Sequence, residues 1–271
     1  MKSKLISKVK EVKSIFTEKP YRIGIAMSGG GIKGLGHAGV LKALEEYGVK
    51  PNIISGVSAG AIVGALYADG YTPDEIAEIF YDIRFRKMTK LHRPDGGIFR
   101  ADPFEKYLKS KLRAKTFEEL KIPLRIVATN LDKGQSVVFS SGKLTDVIIG
   151  SCSMPVIFSP KKINGENYVD GGVFKNFPVS TIREDCEKVI GISVSPLVAE
   201  DFKPSLMNVA FRCYDFMFKA NSMQDKLLCD LLIEPVDMAN YDTFNTDKSR
   251  EIFDIGYKTA KNILKKAQKE R

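Results

Sequence analysis

One serine lies in a sequence pattern that prepares a hydroxyl for nucleophilic attack. Ser58 is the centre of Gly56-Val57-Ser58-Ala59-Gly60, which follows the apolar run Asn52–Val57 and precedes the helical run Ala61–Ala68. A G-x-S-x-G motif between a strand and a helix is typical of a nucleophile elbow, a sharp turn that exposes the serine. The flanking Gly56 and Gly60 let the backbone make this turn without a steric clash. Ser58 is therefore the leading nucleophile candidate.

A glycine-rich loop earlier in the chain can supply hydrogen-bond donors. Ser28-Gly29-Gly30-Gly31-Ile32-Lys33-Gly34 separates the apolar run Tyr21–Met27 from the helical run Leu35–Tyr47. Such a loop directs free backbone N–H groups at an anion, either a phosphate or an oxyanion. A dinucleotide fingerprint also requires an acidic residue about 20 positions further on, where this chain has Ile53-Ile54-Ser55-Gly56. A P-loop requires Lys-Ser or Lys-Thr at its end, whereas Leu35 follows Gly34. An oxyanion hole beside Ser58 is the favoured interpretation.

The sequence has no histidine where the Ser–Asp–His order of α/β hydrolases would place the general base. The chain has two histidines, His37 and His92, and neither follows a candidate acid. His37 falls in the first turn of a predicted helix, where we expect a packing or capping role. His92 falls in the polar segment 84–104, which we expect to lie on the surface beside or over the site.

An acidic residue is the alternative base. Asp170 ends the strand-like run Glu166–Val169 and precedes Gly171-Gly172. A carboxylate can accept the proton of a serine when it is held within hydrogen-bond distance and is partly desolvated, because desolvation raises its proton affinity. An Asp-Gly-Gly tripeptide is otherwise simply a turn, and the residues alone leave both interpretations open.

Taken together, these three motifs resemble the patatin-like phospholipase family, whose members are lipid acyl hydrolases that need no metal. The resemblance extends over roughly residues 21–260, including Ser151–Pro160 and Asn176-Phe177-Pro178. It implies a catalytic dyad of Ser58 and Asp170, with oxyanion donors at Gly29, Gly30 and Gly31 and with Lys33 and Gly34 completing the loop. Many members have aspartate at the position of Ser28 and arginine at that of Lys33. A lysine lacks the bidentate contacts of arginine.

Alternating strand-like and helix-like runs predict an α/β fold of three layers, α/β/α, with a mostly parallel central sheet. A right-handed crossover brings the glycine loop and the Ser58 turn to the same carboxyl edge of the sheet. Further predicted elements are strands at Leu124–Thr129, Ser136–Phe139, Val189–Val194 and Leu228–Glu234, a hairpin turning at Asn164-Gly165, helical stretches from Pro73 to about Leu112 and from Leu206 to Phe218, and a last helix from about Lys248 to Lys266.

Positive charge is concentrated at the two ends of the chain. The formal net charge is +9, of which residues 1–20 carry +4 and residues 258–271 carry +5, so residues 21–257 sum to zero. This distribution favours an anionic membrane surface over a nucleic acid as partner. Leu5, Val9, Val12 and Phe16 recur at helical spacing among the lysines, which fits an interfacial amphipathic helix or a helix packed on the domain. We expect a basic amphipathic segment at 1–20 and one hydrolase domain at 21–271.

The remaining sequence features predict a cytoplasmic or peripheral protein. No apolar run of membrane-spanning length and no signal-peptide pattern occurs, and the four cysteines lack C-x-x-C spacing. We expect no cofactor and no metal. An acyl channel lined by Met207, Phe211, Phe216 and Met217, together with the loop Met154–Phe158, is a weaker hypothesis because such residues are more often core. The alternatives to a hydrolase are a non-catalytic module that binds anionic membranes and, less favoured, a nucleotide-dependent enzyme.

Overall fold

A computed structural model describes residues 18–82, 90–91, 96–196, 204–241 and 246–269. The amphipathic segment 1–17 and His92 lie outside these ranges, and so do the side chains of Met207 and Phe211. The strands are β1 (Tyr21–Met27), β2 (Ile53–Val57), β3 (Lys90–Leu91), β4 (Gly97–Arg100), β5 (Leu124–Asn130), β6 (Gln135–Phe139), β7 (Val156–Phe158), β8 (Lys161–Ile163), β9 (Glu166–Asp170), β10 (Cys186–Ile192) and β11 (Leu231–Ile233).

Helices alternate with these strands. They are α1 (Leu35–Glu46), α2 (Ala59–Ala68), α3 (Pro73–Tyr81), α4 (Asp102–Lys111), α5 (Leu144–Cys152), α6 (Gly172–Lys175), α7 (Leu206–Lys226) and α8 (Ser249–Lys269). Short 3-10 turns span Gly31–Gly34, Phe117–Glu119, Val179–Thr181 and Val236–Asn240.

The central sheet is mixed and mostly parallel, as the sequence predicts. Its strand order is β11-β10-β1-β2-β5-β9-β8, with β6 paired to β5. The pairs from β11 to β5 are parallel, whereas β6, β9 and β8 join through antiparallel pairs. The predicted hairpin connects β8 and β9, and its turn residues Asn164 and Gly165 both have positive φ, which this tight turn requires.

Helices cover both faces of the sheet. From β1 to β2 to β5 the chain advances in one direction, and from β1 to β10 to β11 in the other, so right-handed crossovers put α1 and α2 on one face and α7 on the opposite face. The large core cluster includes residues of α1, α2, α3 and α8. A smaller cluster around Phe177, Val179 and Ile182 packs against β1 and β10. The three-layer α/β/α architecture is therefore confirmed.

Several predicted boundaries differ from the structure. The stretch from Pro73 to Leu112 is not one helix, because α3 ends at Tyr81 and β4 precedes α4. Helix α7 continues past Phe218 to Lys226, and the sequence analysis did not predict α5. β4 pairs with β3 and β7 in a separate three-stranded sheet, so part of the polar segment 84–104 pairs with the loop Met154–Phe158. Among the described helices, none combines the length and the apolar character needed to cross a bilayer.

Candidate active site

The turn at Ser58 has the strained geometry of a nucleophile elbow. Ser58 adopts φ +52° and ψ −119° between β2 and α2, a conformation that non-glycine residues rarely adopt. A side chain at Gly56 would clash with the carbonyl of Gly60, and one at Gly60 would clash with the carbonyl of Met27. Both glycines are therefore required by close backbone approach. Strain of this kind is concentrated at functional sites because the surrounding fold must hold it.

A buried hydroxyl holds the backbone of this turn. The Ser58 N–H donates to Ser151 Oγ at 2.8 Å, and the Ser151 hydroxyl donates to the carbonyl of Val127 at 2.6 Å. Ser151 is fully buried on α5. It ties the nucleophile turn to strand β5, a role that sequence reasoning did not assign.

Ser58 and Asp170 approach each other because two strands meet end to end. β2 ends at Val57, which lies opposite Val127 of β5, while β9 ends at Asp170, which lies opposite Ala128. β6 pairs along the other edge of β5, so β2 and β9 share one edge and run toward each other. A side chain at Gly171 would clash with the carbonyl of Val127. This glycine lets the chain turn away where the two strands meet.

The Asp170 carboxyl is buried, being 3% exposed. Burial raises its pKa from 3.8 to about 6, because desolvation disfavours the charged form, although hydrogen bonds from the Gly172 N–H and the Ser58 hydroxyl oppose the shift. The Gly172 N–H donates to Asp170 Oδ1 at 2.7 Å. The Ser58 hydroxyl is therefore near enough to the Asp170 carboxyl to interact with it, and hydrogen bonds between catalytic groups often tighten when substrate binds.

The glycine loop lies directly against this pair. A side chain at Gly29 would come within 3.3 Å of Ser58 Cβ, and one at Gly34 within 2.6 Å of Ala59 Cβ. The Gly29 N–H donates to the carbonyl of Asn176 at 3.0 Å, so this donor is already engaged. The N–H groups of Gly30 and Gly31 donate to no acceptor within the described part of the chain. The Lys33 N–H closes the turn on the Gly30 carbonyl at 3.2 Å.

His37 has a structural position, as the sequence predicts. Its ring is fully buried, and Nε2 lies 2.8 Å from the Ser28 carbonyl oxygen. Burial lowers the pKa of His37 to about 4, so the neutral ring donates this hydrogen bond to the start of the glycine loop. Ser28 also accepts the Val194 N–H on its hydroxyl at 3.0 Å. These contacts fix the start of the loop against α1 and against the segment that follows β10.

A pair of asparagines joins the aspartate turn to the glycine loop. Asn221 of α7 donates through Nδ2 to the Gly172 carbonyl at 2.7 Å and accepts the Asn176 N–H on Oδ1 at 2.7 Å. The Asn176 carbonyl in turn accepts the Gly29 N–H. Asn176 lies in the Asn-Phe-Pro run noted in the sequence, whereas no sequence signal identified Asn221.

The acyl-channel hypothesis is only partly consistent with side-chain positions. Phe218 faces the aspartate turn, because a side chain at Gly172 would lie 3.1 Å from its ring. Phe216 is instead 48% exposed on the other side of α7, so its predicted place in a channel is wrong. Cys152 lies beside Ser58 and Asp170, where burial, reinforced by the Asp170 charge, raises the pKa of its thiol well above the usual value. In the described ranges, no cluster of three His, Cys, Asp or Glu side chains forms a metal site.

Fold and site define an α/β protein that presents an elbow serine, a buried carboxylate and a glycine loop at one sheet edge. The patatin-like phospholipase family profile matches residues 25–182. The chain belongs to this family, and the membership supports a lipid hydrolase.

This chain matches different shares of the length of its relatives. The chain is 28% identical to the uncharacterized protein YqhO of Bacillus subtilis over 88% of this chain and 96% of YqhO. An uncharacterized NTE family protein of Mycobacterium bovis is 30% identical over 74% of this chain and 57% of its own length. The lysophospholipase NTE1 of Kluyveromyces lactis is 24% identical over 92% of this chain but only 19% of that protein.

One solved structure supports the fold. The crystal structure of VipD from Legionella pneumophila superimposes with a TM-score of 0.62 at 16% identity, over 91% of this chain and 67% of VipD.

Proposed function

We propose that this protein is a lipid acyl hydrolase in which Ser58 is the nucleophile and Asp170 the general base. The observation that carries the proposal is the end-to-end meeting of β2 and β9, which brings a strained serine turn, with Ser58 half-buried, to a buried carboxylate. Burial raises the pKa of Asp170 to about 6. At pH 7 the carboxylate is then mostly ionised yet holds a proton more strongly than an ordinary aspartate, as a general base requires.

The oxyanion donors in this proposal are the backbone N–H groups of Gly30 and Gly31. Gly29 was included in the predicted set, but its N–H is engaged by Asn176, so its contribution is to place the loop against Ser58. Donors fixed before the reaction stabilise developing negative charge without reorganising. The N-terminus of α2, which starts at Ala59, adds a favourable dipole at the same point.

The reaction is an acyl transfer in two steps. Asp170 takes the proton of Ser58 as Oγ bonds to the ester carbonyl carbon, and the tetrahedral oxyanion then collapses, expelling the alcohol, which receives that proton. Water attacks the acyl-serine and gives its proton to Asp170. The second collapse releases the fatty acid and returns the proton to Ser58 Oγ.

We infer that the substrate is a lipid carboxylic ester. Family membership and the yeast relative named as a lysophospholipase support this class. Peripheral association with an anionic membrane from the cytoplasmic side belongs to the proposal, and its support is the exposed lysines near the end of α8, including Lys265, Lys266 and Lys269. The domain assignment at 21–271 is likewise an inference.

Product analysis tests this function. The purified protein is incubated with phospholipids, lysophospholipids, glycerides and short p-nitrophenyl esters, and products are identified by mass. We expect free fatty acid from at least one lipid class and none with Ser58→Ala. Equal products from Ser58→Ala would contradict the assignment of Ser58 as the nucleophile. No product in any class from folded protein that still binds vesicles would instead favour a non-catalytic lipid-binding module.

A further inference from the structure

Helix α7 carries an apolar stripe that its own domain leaves uncovered. The stripe, called here the outer stripe, consists of five exposed residues of α7 and the exposed residue that follows its last turn: Val209, Cys213, Phe216, Ala220, Met223 and Leu227. Phe216 is 48% exposed, Met223 63% and Leu227 85%. The opposite side of α7 packs on the domain, where Ser222 and Asp225 are buried and Asn221 holds the aspartate turn. The outer stripe is therefore open to a partner other than the core of its domain.

The spacing of the outer stripe identifies that partner as another helix. Its members are separated by four, three, four, three and four residues, the a/d repeat of a coiled-coil seam. Such a seam is narrower than the apolar face of a helix that lies in a lipid interface. The neighbouring cations are engaged, since Arg212 and Lys219 pair with Asp215 while Lys226 pairs with Glu234. Anionic headgroups would have to compete with these ion pairs.

A matching stripe exists in the sequence of residues 1–17. Leu5, Val9, Val12 and Phe16 are separated by four, three and four residues, the same spacing as Phe216, Ala220, Met223 and Leu227. In a helix the first and last members of either set are 11 residues apart, about 17 Å at 1.5 Å per residue. Seventeen residues are thus long enough to cover the last three turns of α7.

The described chain begins close to the end of α7. Lys19 Nζ donates to the carbonyls of Arg183 and Cys186, at 3.3 and 2.8 Å. The Arg183 guanidinium contacts the Leu228 carbonyl at 3.5 Å, immediately after α7. α7 leads into β11 and the N-terminal segment leads into β1, and both strands are parallel to β10. A helix that immediately precedes β1 in the chain and lies beside α7 would therefore run in the same direction as α7.

We propose that residues 1–17 form a helix that packs in parallel on the outer stripe. The register places Leu5 beside Phe216, Val9 beside Ala220, Val12 beside Met223 and Phe16 beside Leu227. Because the segment is tethered beside its site, its effective concentration is about millimolar, which favours it over a second copy of the chain. The lysines of the segment then face solvent. The partner surface lies on the side of α7 opposite Asn221, the residue that contacts the aspartate turn.

Disulfide trapping in the full-length chain tests the register. Val9→Cys and Ala220→Cys are combined with Cys213→Ser, which removes the exposed native thiol, and the protein is oxidised with glutathione disulfide. We expect a disulfide within one chain, seen as a loss of two hydrogens in the intact mass of the monomer, because paired seam positions bring Cα atoms within disulfide range. The matched control, Lys10→Cys with Ala220→Cys, places one thiol on the polar side and should cross-link at least tenfold more slowly.

Accessibility of the stripe provides a second measurement. In the Cys213→Ser/Ala220→Cys chain, maleimide labelling of position 220 should accelerate about tenfold when Val9→Asp and Val12→Asp are added. Equal cross-linking of both cysteine pairs, or of neither, would overturn the proposal. A disulfide between two chains through position 220 would also overturn it, because a second copy of the chain would then cover the stripe. Labelling that is slowed only by lipid vesicles would overturn it too, because a bilayer would then cover the stripe.

Discussion

At the scale of residues, the candidate chemistry depends on a carboxylate whose surroundings disfavour its charge. Burying this carboxylate lowers the free energy of unfolding at neutral pH, because burial raises the pKa of Asp170 from 3.8 to about 6 in the folded state. For a carboxyl with a raised folded-state pKa, the unfolding free energy decreases as pH rises through this interval. Two pKa units correspond to about 3 kcal/mol. Asp170 is thus a local source of instability at neutral pH.

Asp170→Asn should separate activity from stability. The amide keeps the shape of the side chain and an oxygen for the Gly172 N–H, but it cannot accept the Ser58 proton. We expect ester hydrolysis to fall by about as much as in Ser58→Ala, and the unfolding free energy at pH 7 to increase by up to about 3 kcal/mol. Denaturant unfolding and initial rates measure the two effects. Asp237→Asn, on an exposed side chain, should change neither. An active Asp170→Asn variant would contradict the assignment of the base.

The pH dependence of hydrolysis should reflect the same group. Asp170 must be ionised to accept a proton, so kcat/KM on a soluble short-chain ester should fall tenfold per pH unit below about 6 and level off above it. A profile that is flat down to about pH 4.5 would show that no group with a raised pKa controls the reaction.

At the scale of elements, the site depends on strand ends and on one helix that joins its two halves. Asn221 of α7 contacts the Gly172 carbonyl after Asp170 and the Asn176 N–H, and Asn176 holds Gly29 of the glycine loop. This side chain therefore supports both the turn after Asp170 and the glycine loop. It touches neither Ser58 nor the expected place of the ester, so we regard it as a positioning residue.

Asn221→Ala should change the pH profile as well as the rate. Without its support, the Gly172 N–H is held less firmly against Asp170, and that hydrogen bond normally lowers the pKa of the carboxyl. We expect kcat to fall about tenfold to a hundredfold and the acid limb of kcat/KM to move to higher pH. The matched control is Gln224→Ala, one turn further along α7 on an exposed side chain. A lower rate with an unmoved acid limb would reduce Asn221 to a packing role.

A part of the site could be predicted where its residues lie in one stretch of sequence, but not where it depends on how distant elements pack. The elbow at Ser58, the glycine loop and the Asp-Gly-Gly turn were found because their glycines mark local backbone constraints that one stretch of sequence contains. The end-to-end meeting of β2 and β9 could not be predicted, since it depends on which edge of β5 each strand occupies. The engaged Gly29 N–H and the Asn221 contacts connect residues 45 or more positions apart. For Phe216, the helical pattern was right, but it does not say which face of α7 meets the domain.

At the scale of the whole molecule, positive charge is separated from the neutral body. Residues 21–257, which form the sheet and the site, have a net charge of zero. Helix α8 instead ends in a cluster of exposed lysines. Each such cation near an anionic surface contributes about 1 kcal/mol within a Debye length. The proposed attraction to an anionic membrane therefore needs no change at the site.

Charge reversal at the end of α8 tests this attraction. Lys265→Glu, Lys266→Glu and Lys269→Glu together should weaken binding to vesicles rich in phosphatidylserine by at least tenfold at low salt, while hydrolysis of a soluble ester is unchanged. Vesicle sedimentation measures binding. Lys106→Glu, Lys115→Glu and Lys162→Glu make the same change in net charge at other exposed positions and should have a smaller effect. Equal losses in the two triple variants would show that net charge alone, rather than this cluster, drives binding.

The most direct test of the Ser58–Asp170 assignment is labelling with a fluorophosphonate probe, which reacts covalently with activated serines. Peptide mass analysis of the labelled full-length protein should find the adduct on Ser58, with labelling abolished in Ser58→Ala and strongly reduced in Asp170→Asn. Absence of labelling in well-folded protein, or labelling of Ser58 at the same rate in Asp170→Asn, would contradict the assignment of these two residues as nucleophile and base.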